Sequence, residues 1–310
     1  MDNLQLISSD VDRWRQTASL LGPIPGTDGE GASGAGPNRP HIFFVDPATG
    51  TTSGDGLDPR RPLSTIQAAI DLCEANRGDV IVVARGGHVV TAAIDCNKRG
   101  ITIIADTYGV NRRVTDEHWI TANASYTSGP VVEITAGCRW IGFTFASRFA
   151  TGPSVRTTFD SGTGASGNYV EMIECNWPGW GIGKDGFEMR GANFCAVRRC
   201  HFFDIANSGA GISFRGSGTN NPNHNEIEEC VFRDVTAGII YDAGGDPTNN
   251  FIHSCRFKDT TDDINANAGR GDCFVTDCYS EGTASTAHDS SVTTLIAAGW
   301  TFAGNHYAET

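Results

Sequence analysis

The chain has 310 residues, a formal net charge of −13, 39% hydrophobic and 19% charged residues, 38 glycines and 10 cysteines. Such acidity repels nucleic acid and anionic membranes, no run approaches the ~18 apolar residues of a membrane span, and the composition is globular, not disordered. So many glycines with few long periodic apolar runs point to short strands and tight turns, not to a helical architecture.

Residues 1–40 stand apart. The start, MDNLQLISSDVDRWRQ, has no basic stretch followed by an apolar core, so no secretory signal peptide is expected. SSDVDRWRQTASLLG reads as a short helix, with Ser9 or Asp10 as N-cap and Val11, Trp14, Ala18 and Leu21 on one side. PIPGTDGEGASGAGPNRP follows as a Pro/Gly-rich linker. An amphipathic segment on such a tether is expected to be an arm that docks on something else.

The remainder, 41–310, reads as one domain. HIFFV is a strand, and SGDGLDP a loop. LSTIQAAIDLCEANRG is an amphipathic helix capped by Ser64 or Thr65, with Ile66, Ala69, Ile70 and Cys73 on its buried side and Gly78 as its stop. DVIVVA is a strand covered on both faces.

Beyond it the chain repeats itself. MIECNW, VRRCHF, IEECVF, IHSCRF and VTDCYS share an apolar residue, two mostly polar ones, a cysteine, any residue and usually an aromatic. Cys175, Cys200, Cys230, Cys255 and Cys278 are 25, 30, 25 and 23 residues apart, and WIGFTF is an earlier copy with Phe143 in the cysteine place. Periods of about 20–50 residues mean stacked units. A unit of about 25 residues without a helical run fits three short strands, one coil of a parallel β-helix. The cysteine and the aromatic two residues on then point inward together, after a two-residue polar bend. A second column places Phe187, Ile212, Ile239 and Ile264 in one inward stack. The ten cysteines form no CxxC pair, so they read as small buried hydrophobes, not zinc ligands or disulfides.

GLDPRRPLSTIQAAIDLCEANRGDVIVVARGG resembles the entry segment of the pectate-lyase-like superfamily of right-handed parallel β-helices, through Pro62, Thr65, Ile66, Gln67, Ala69, Gly78, Asp79 and Ile81. The resemblance implies an all-β, single-stranded right-handed parallel β-helix with an N-terminal capping helix. It leaves function open, because that superfamily includes polysaccharide lyases, glycoside hydrolases and phage spike or decoration proteins.

Glycan hydrolysis needs two carboxylates flanking the scissile bond. The candidates are the aspartates four residues after the ladder cysteines, Asp204, Asp234 and Asp259, with Asp262 and Asp263 close by in sequence. An aspartate after a strand can equally satisfy turn N–H groups. Of the family's hydrolase elements only TDDI, 261–264, has a counterpart. For a lyase, Asp242 and Asp246 could hold Ca²⁺ with Arg233 as base. Arg190 and Arg215 occupy equivalent places after the third strand of their coils and could bind an anionic sugar. His201, His224 and His253 read as surface residues, RGD at 270–272 as a turn, and GTGASG and GSGTNNPN as polar excursions of a ligand-binding kind.

Two functions fit these features. One is a structural bacteriophage virion protein, a head-decoration, spike or fibre subunit on the particle exterior. It would be anchored to capsid or tail proteins through residues 1–40, expected as a homotrimer, and displays a solenoid able to meet a cell-surface polysaccharide. The alternative is a polysaccharide lyase or glycoside hydrolase, with Asp234, Asp259, Asp262 and Asp263 as its catalytic candidates. No cofactor is expected, and metal only at the Asp242/Asp246 pair.

Overall fold

The computed structural model describes residues 39–106, 118–126, 128–146, 152–160, 162, 164–179, 185–205, 209–216, 220–241, 248–266, 273–281 and 301–307. The arm, Asp242, Asp246 and the RGD tripeptide lie outside these residues.

The chain winds as a right-handed parallel β-helix. Among the described residues a first sheet of ten strands runs from Ile42–Val45 to Thr301–Ala303, and a second of nine from Gly86–Val90 to His306–Tyr307. A third contains Ile94–Cys96, Val132–Ile134, Val155–Asp160, Phe187–Arg190, Ala210–Arg215, Ala237–Tyr241 and Asp262–Ala266, with Ala165–Ser166 added antiparallel on Phe159 and Asp160. Every other pairing is parallel. A full coil visits the second, third and first sheets in turn, so a residue's neighbours are its counterparts one coil away, ~4.8 Å distant.

Alternation along each strand sorts the side chains, and the repeat read from sequence fills the interior. Cys175, Cys200, Cys230, Cys255 and Cys278 are all buried thiols. Two residues on, the rings of Phe145, Trp177, Phe202, Phe232 and Phe257 stack with centroids 5.3, 4.5, 5.0 and 5.0 Å apart. Phe143 is likewise buried. Phe187, Ile212, Ile239 and Ile264 pair in register as the second column. Burial pushes the Cys73 and Cys195 thiols up to about 12, so these sulfurs act as packing atoms and not as nucleophiles at neutral pH.

The corners explain the remaining letters of the repeat. The bend before each ladder cysteine is one residue long, not two: Glu174, Arg199, Glu229, Ser254 and Asp277 have φ between 50° and 54°, while the residue before each still belongs to the first sheet. The next corner holds Asp204, Asp234 and Asp259, at φ 55°, 53° and 52°. Aspartate tolerates this left-handed conformation better than most side chains.

A second pattern couples neighbouring coils. A Cβ on Gly186 would lie 2.8 Å from the Phe202 ring, one on Gly211 2.6 Å from Phe232, and one on Gly238 2.6 Å from Phe257. Each ring of one coil thus requires a glycine in the coil before. In the next coil Ser280 stands in register with Phe257, and there Asp263 replaces the glycine.

The N-terminal end is closed by the helix Ile66–Leu72, whose N-cap Thr65 accepts from the Ala68 N–H at 3.2 Å and whose Ile66, Ala69 and Ile70 are buried. The helix ends well before Gly78. Buried Asp79 takes over the chain there: it accepts from the backbone N–H groups of His41 and Glu74, both at 2.8 Å, and from Arg77 Nε and Nη2, both at 2.7 Å. Among the described residues no helix is long and apolar enough to cross a membrane.

Candidate functional site

The third sheet carries a set of charges fixed by buried carboxylates. Val132, Val155, Phe187 and Ile212 point inward and are fully buried, so the residues that follow them point outward. Glu133, Arg156, Glu188 and Ser213 form one outward column, and Thr158, Arg190 and Arg215 a second beside it.

Glu188 sits at the centre, with its side chain 3% exposed. It accepts from Arg156 Nε at 2.8 Å and Arg190 Nη2 at 2.7 Å, and Arg215 Nε approaches to 3.4 Å. Asp185, also buried, accepts from Ser213 Oγ and Arg215 Nη2 at 2.9 Å and from the Ala210 N–H at 3.0 Å. Two buried carboxylates therefore hold three guanidiniums whose side chains remain 20%, 38% and 36% exposed at Arg156, Arg190 and Arg215. Charge-assisted, multiply bonded geometry of this kind fixes the planes of the forks.

Glu133 stands further along the column, between Arg156 and Asp95. It accepts from Thr158 Oγ1 at 2.6 Å and lies 3.6 Å from Arg156 Nη1. Burial raises its carboxyl above the ordinary value, against the pull of Thr158 and Arg156.

The aspartates singled out from sequence sit elsewhere. Asp204, Asp234 and Asp259 form an exposed column at the corner between the second and third sheets, where Asp234 pairs with Arg233 at 3.3 Å. Asp262 accepts from Asn265 Nδ2 at 2.9 Å, while Asp263 is buried and hydrogen-bonded to Thr260. As successive residues of a strand, these two direct their side chains opposite ways. Arg190 and Arg215, flagged from sequence, do belong to the charged face. Glu133 and Arg156 lie on strands that precede the cysteine repeat, and Glu188, on the strand of Arg190, is tied to them only through sheet register.

On the first sheet Glu226, Glu228 and His253 come close enough to share a metal ion. Arg198 already answers that charge, pairing with Glu226, with Glu228 at 3.0 Å and with Glu171 at 3.8 Å. Exposed rings also line up: Tyr169 on Phe194 and Phe194 on His224, at 5.2 and 5.1 Å. Rings stacked on one another turn their edges, not their faces, to solvent, so this row is a poor platform for sugar rings.

No protein-family model and no curated protein matches the chain. Among solved structures it is similar to a rhamnogalacturonan lyase, at 14% identity over 78% of this chain and 69% of that one, with a TM-score of 0.57. A lacto-N-biosidase from Eubacterium ramulus shows 12% identity over 78% and 56%, with a TM-score of 0.52. An alginate lyase from a Paenibacillus species shows 13% over 87% and 98%, also at 0.52. At these identities the likeness is one of fold: the chain is a parallel β-helix of the architecture found in polysaccharide lyases and glycosidases.

Proposed function

We propose that the chain is a glycan-engaging β-helix whose third-sheet face takes an acidic polysaccharide. The observation that carries this reading is the set of three arginines, Arg156, Arg190 and Arg215, held by buried Glu188 and Asp185 while each side chain stays partly exposed. Forks in fixed planes suit carboxylate or sulfate groups, and Arg190 and Arg215 are one strand apart, ~4.8 Å, so successive anionic groups of one polymer can be met in turn. A net charge of −13 opposes a polyanion at long range, so binding is short-ranged and weakened by salt.

Binding is favoured over cleavage. Glu133, with its raised carboxyl, has the character of a proton donor to a glycosidic oxygen. Its partner in the column, Glu188, is two strand spacings away, ~9.6 Å between backbones, near the upper limit for a hydrolase pair. It is also sealed by three arginines. The setting we propose is the exterior of a phage particle, with residues 1–40 as the anchor to capsid or tail proteins and a trimer as the assembly.

The test is calorimetric titration with alginate, polygalacturonate and a neutral glucan, together with an assay of new reducing ends. Binding to the acidic polymers alone, weakened about tenfold by Arg190→Ala with Arg215→Ala, is expected. Indifference of the affinity to that double substitution would defeat the reading.

A further inference from the structure

We infer that Cys96 and Cys138 form a cross-link site, where a peroxide converts the two thiols into a disulfide that ties neighbouring coils together. Cys96 ends the strand Ile94–Cys96 and pairs in register with Ile134 of the next coil. Cys138 lies four residues past Ile134, directly before the strand Arg139–Ile141. The two sulfurs are 3.2 Å apart, with the Cys96 S–H donating to Cys138. A disulfide bond is about 2.05 Å long, so bonding closes the gap by about 1 Å.

The surroundings set this pair apart from the ladder thiols. Cys175, Cys200, Cys230, Cys255 and Cys278 each donate to the carbonyl oxygen two residues before, at 3.3 or 3.4 Å. The Cys96 and Cys138 sulfurs instead face each other. The backbone holds both in place: the Thr135 N–H donates to the Cys96 carbonyl at 3.1 Å, and the Glu171 N–H to the Cys138 carbonyl at 2.9 Å. The Trp140 indole N–H, buried without a hydrogen bond, pulls the Cys96 thiol toward its anion. An unpaired buried donor calls for an explanation, and charge developing on this sulfur supplies one.

The reaction balances with hydrogen peroxide as oxidant. Cys138, 4% exposed against 0% for Cys96, meets it first. Its sulfur bonds one peroxide oxygen, the O–O bond breaks, and water leaves as Cys138 becomes a sulfenic acid. The Cys96 sulfur then attacks the Cys138 sulfur, the S–O bond breaks, and the Cys96 proton departs with that oxygen as a second water. Two thiols and one peroxide give one disulfide and two waters. Hydrogen bonding to Cys138, and then burial, hold the Cys96 thiol well above its ordinary range. Oxidation of Cys138 removes the first of these, and the Trp140 N–H favours the charge that develops. The link joins residues 42 apart in sequence, close to the capping helix, where the stack of coils ends and opening of a solenoid starts. This site does not rest on the third-sheet reading.

The test treats the full chain, purified reduced, with hydrogen peroxide, alkylates it in denaturant and maps its peptides by mass spectrometry. A peptide joining Cys96 to Cys138, two hydrogens lighter than its parts, is expected, with the other thiols still alkylated. The urea midpoint should rise on oxidation and fall back with dithiothreitol. Cys96→Ala and Cys138→Ala should each lose both the link and the rise, whereas Cys73→Ala, which removes the thiol next to the pair, should keep both. All thiols intact after peroxide, oxidation of Cys138 that stops at a sulfinic acid, or a link made to Cys73 instead would overturn the proposal.

Discussion

Gly211→Ala tests the coupling between coils. The added methyl would sit 2.6 Å from Phe232 Cδ1, 2.8 Å from Phe232 Cε1 and 2.8 Å from the Gly238 carbonyl. Phe232 cannot simply retreat, because its ring is stacked between Phe202 and Phe257 at 5.0 Å on each side. Overpacking of a core costs about 1–3 kcal/mol, and a displaced ring in a continuous stack places this change toward the upper end. Gly87→Ala is the control, since nothing lies within 4 Å of a Cβ there, and should stay within about 0.5 kcal/mol of the parent. The decisive comparison is a double-mutant cycle by urea unfolding. Phe232→Ser alone removes a buried ring, at about 3–5 kcal/mol, but in that background Gly211→Ala should cost clearly less than in the parent, since only the contact with the Gly238 carbonyl remains. The coil holding Asp263 beside Ser280 already combines a side chain at the glycine place with a small residue at the ring place. Strict additivity of the two substitutions would refute the clash as the reason for the glycines.

Other consequences follow from the buried charges and thiols. Arg77 and the His41 and Glu74 N–H groups hold the Asp79 carboxyl below its ordinary value although burial opposes them. Its stabilisation is therefore complete above about pH 4 and lost as pH falls through the lower folded value. Asp79→Asn should remove that part of the acid transition and cost about 3 kcal/mol, because Arg77 is left with only the exposed Glu74 as a carboxylate partner, measurable as urea midpoints across pH. Glu188→Gln should destabilise by a similar ~3 kcal/mol, since three arginines lose their common partner. Glu133→Gln should behave oppositely: a carboxyl raised by burial stabilises below its unfolded pKa and loses that contribution as pH rises through the folded one. The variant should then equal or exceed the parent melting temperature at pH 7. Cys230→Asp should unfold the ladder locally or globally, because it buries an unpaired charge, whereas Cys230→Ala should be mild; equal melting temperatures for both would contradict the packing.

Much of the architecture was legible because the β-helix writes its interior as a period. Cys230 and Phe232 recur one coil away as Cys255 and Phe257, and the alternation of strands turns that spacing into shared direction. The extent of the capping helix was not legible, since its end is set by Asp79 reaching back to Glu74, a contact that helix propensity does not encode. The glycine–ring coupling was present in the letters, in Gly186, Gly211 and Gly238 ahead of inward residues, but it links each coil to the next and disappears when coils are read singly. The charged face was half legible. Arg190 and Arg215 sit in aligned copies. Glu133 and Arg156 join them only through sheet register, because the early coils carry no cysteine to set the alignment.

The central claim is that the third-sheet arginines meet an anionic polymer, and a crystal structure with a bound acidic oligosaccharide, an oligogalacturonate or oligoalginate, tests it most directly. The account predicts sugar carboxylates within hydrogen-bonding distance of Arg190 and Arg215, with Glu188 still buried beneath them. An oligosaccharide ordered along another face, with the three guanidiniums bare, would contradict it.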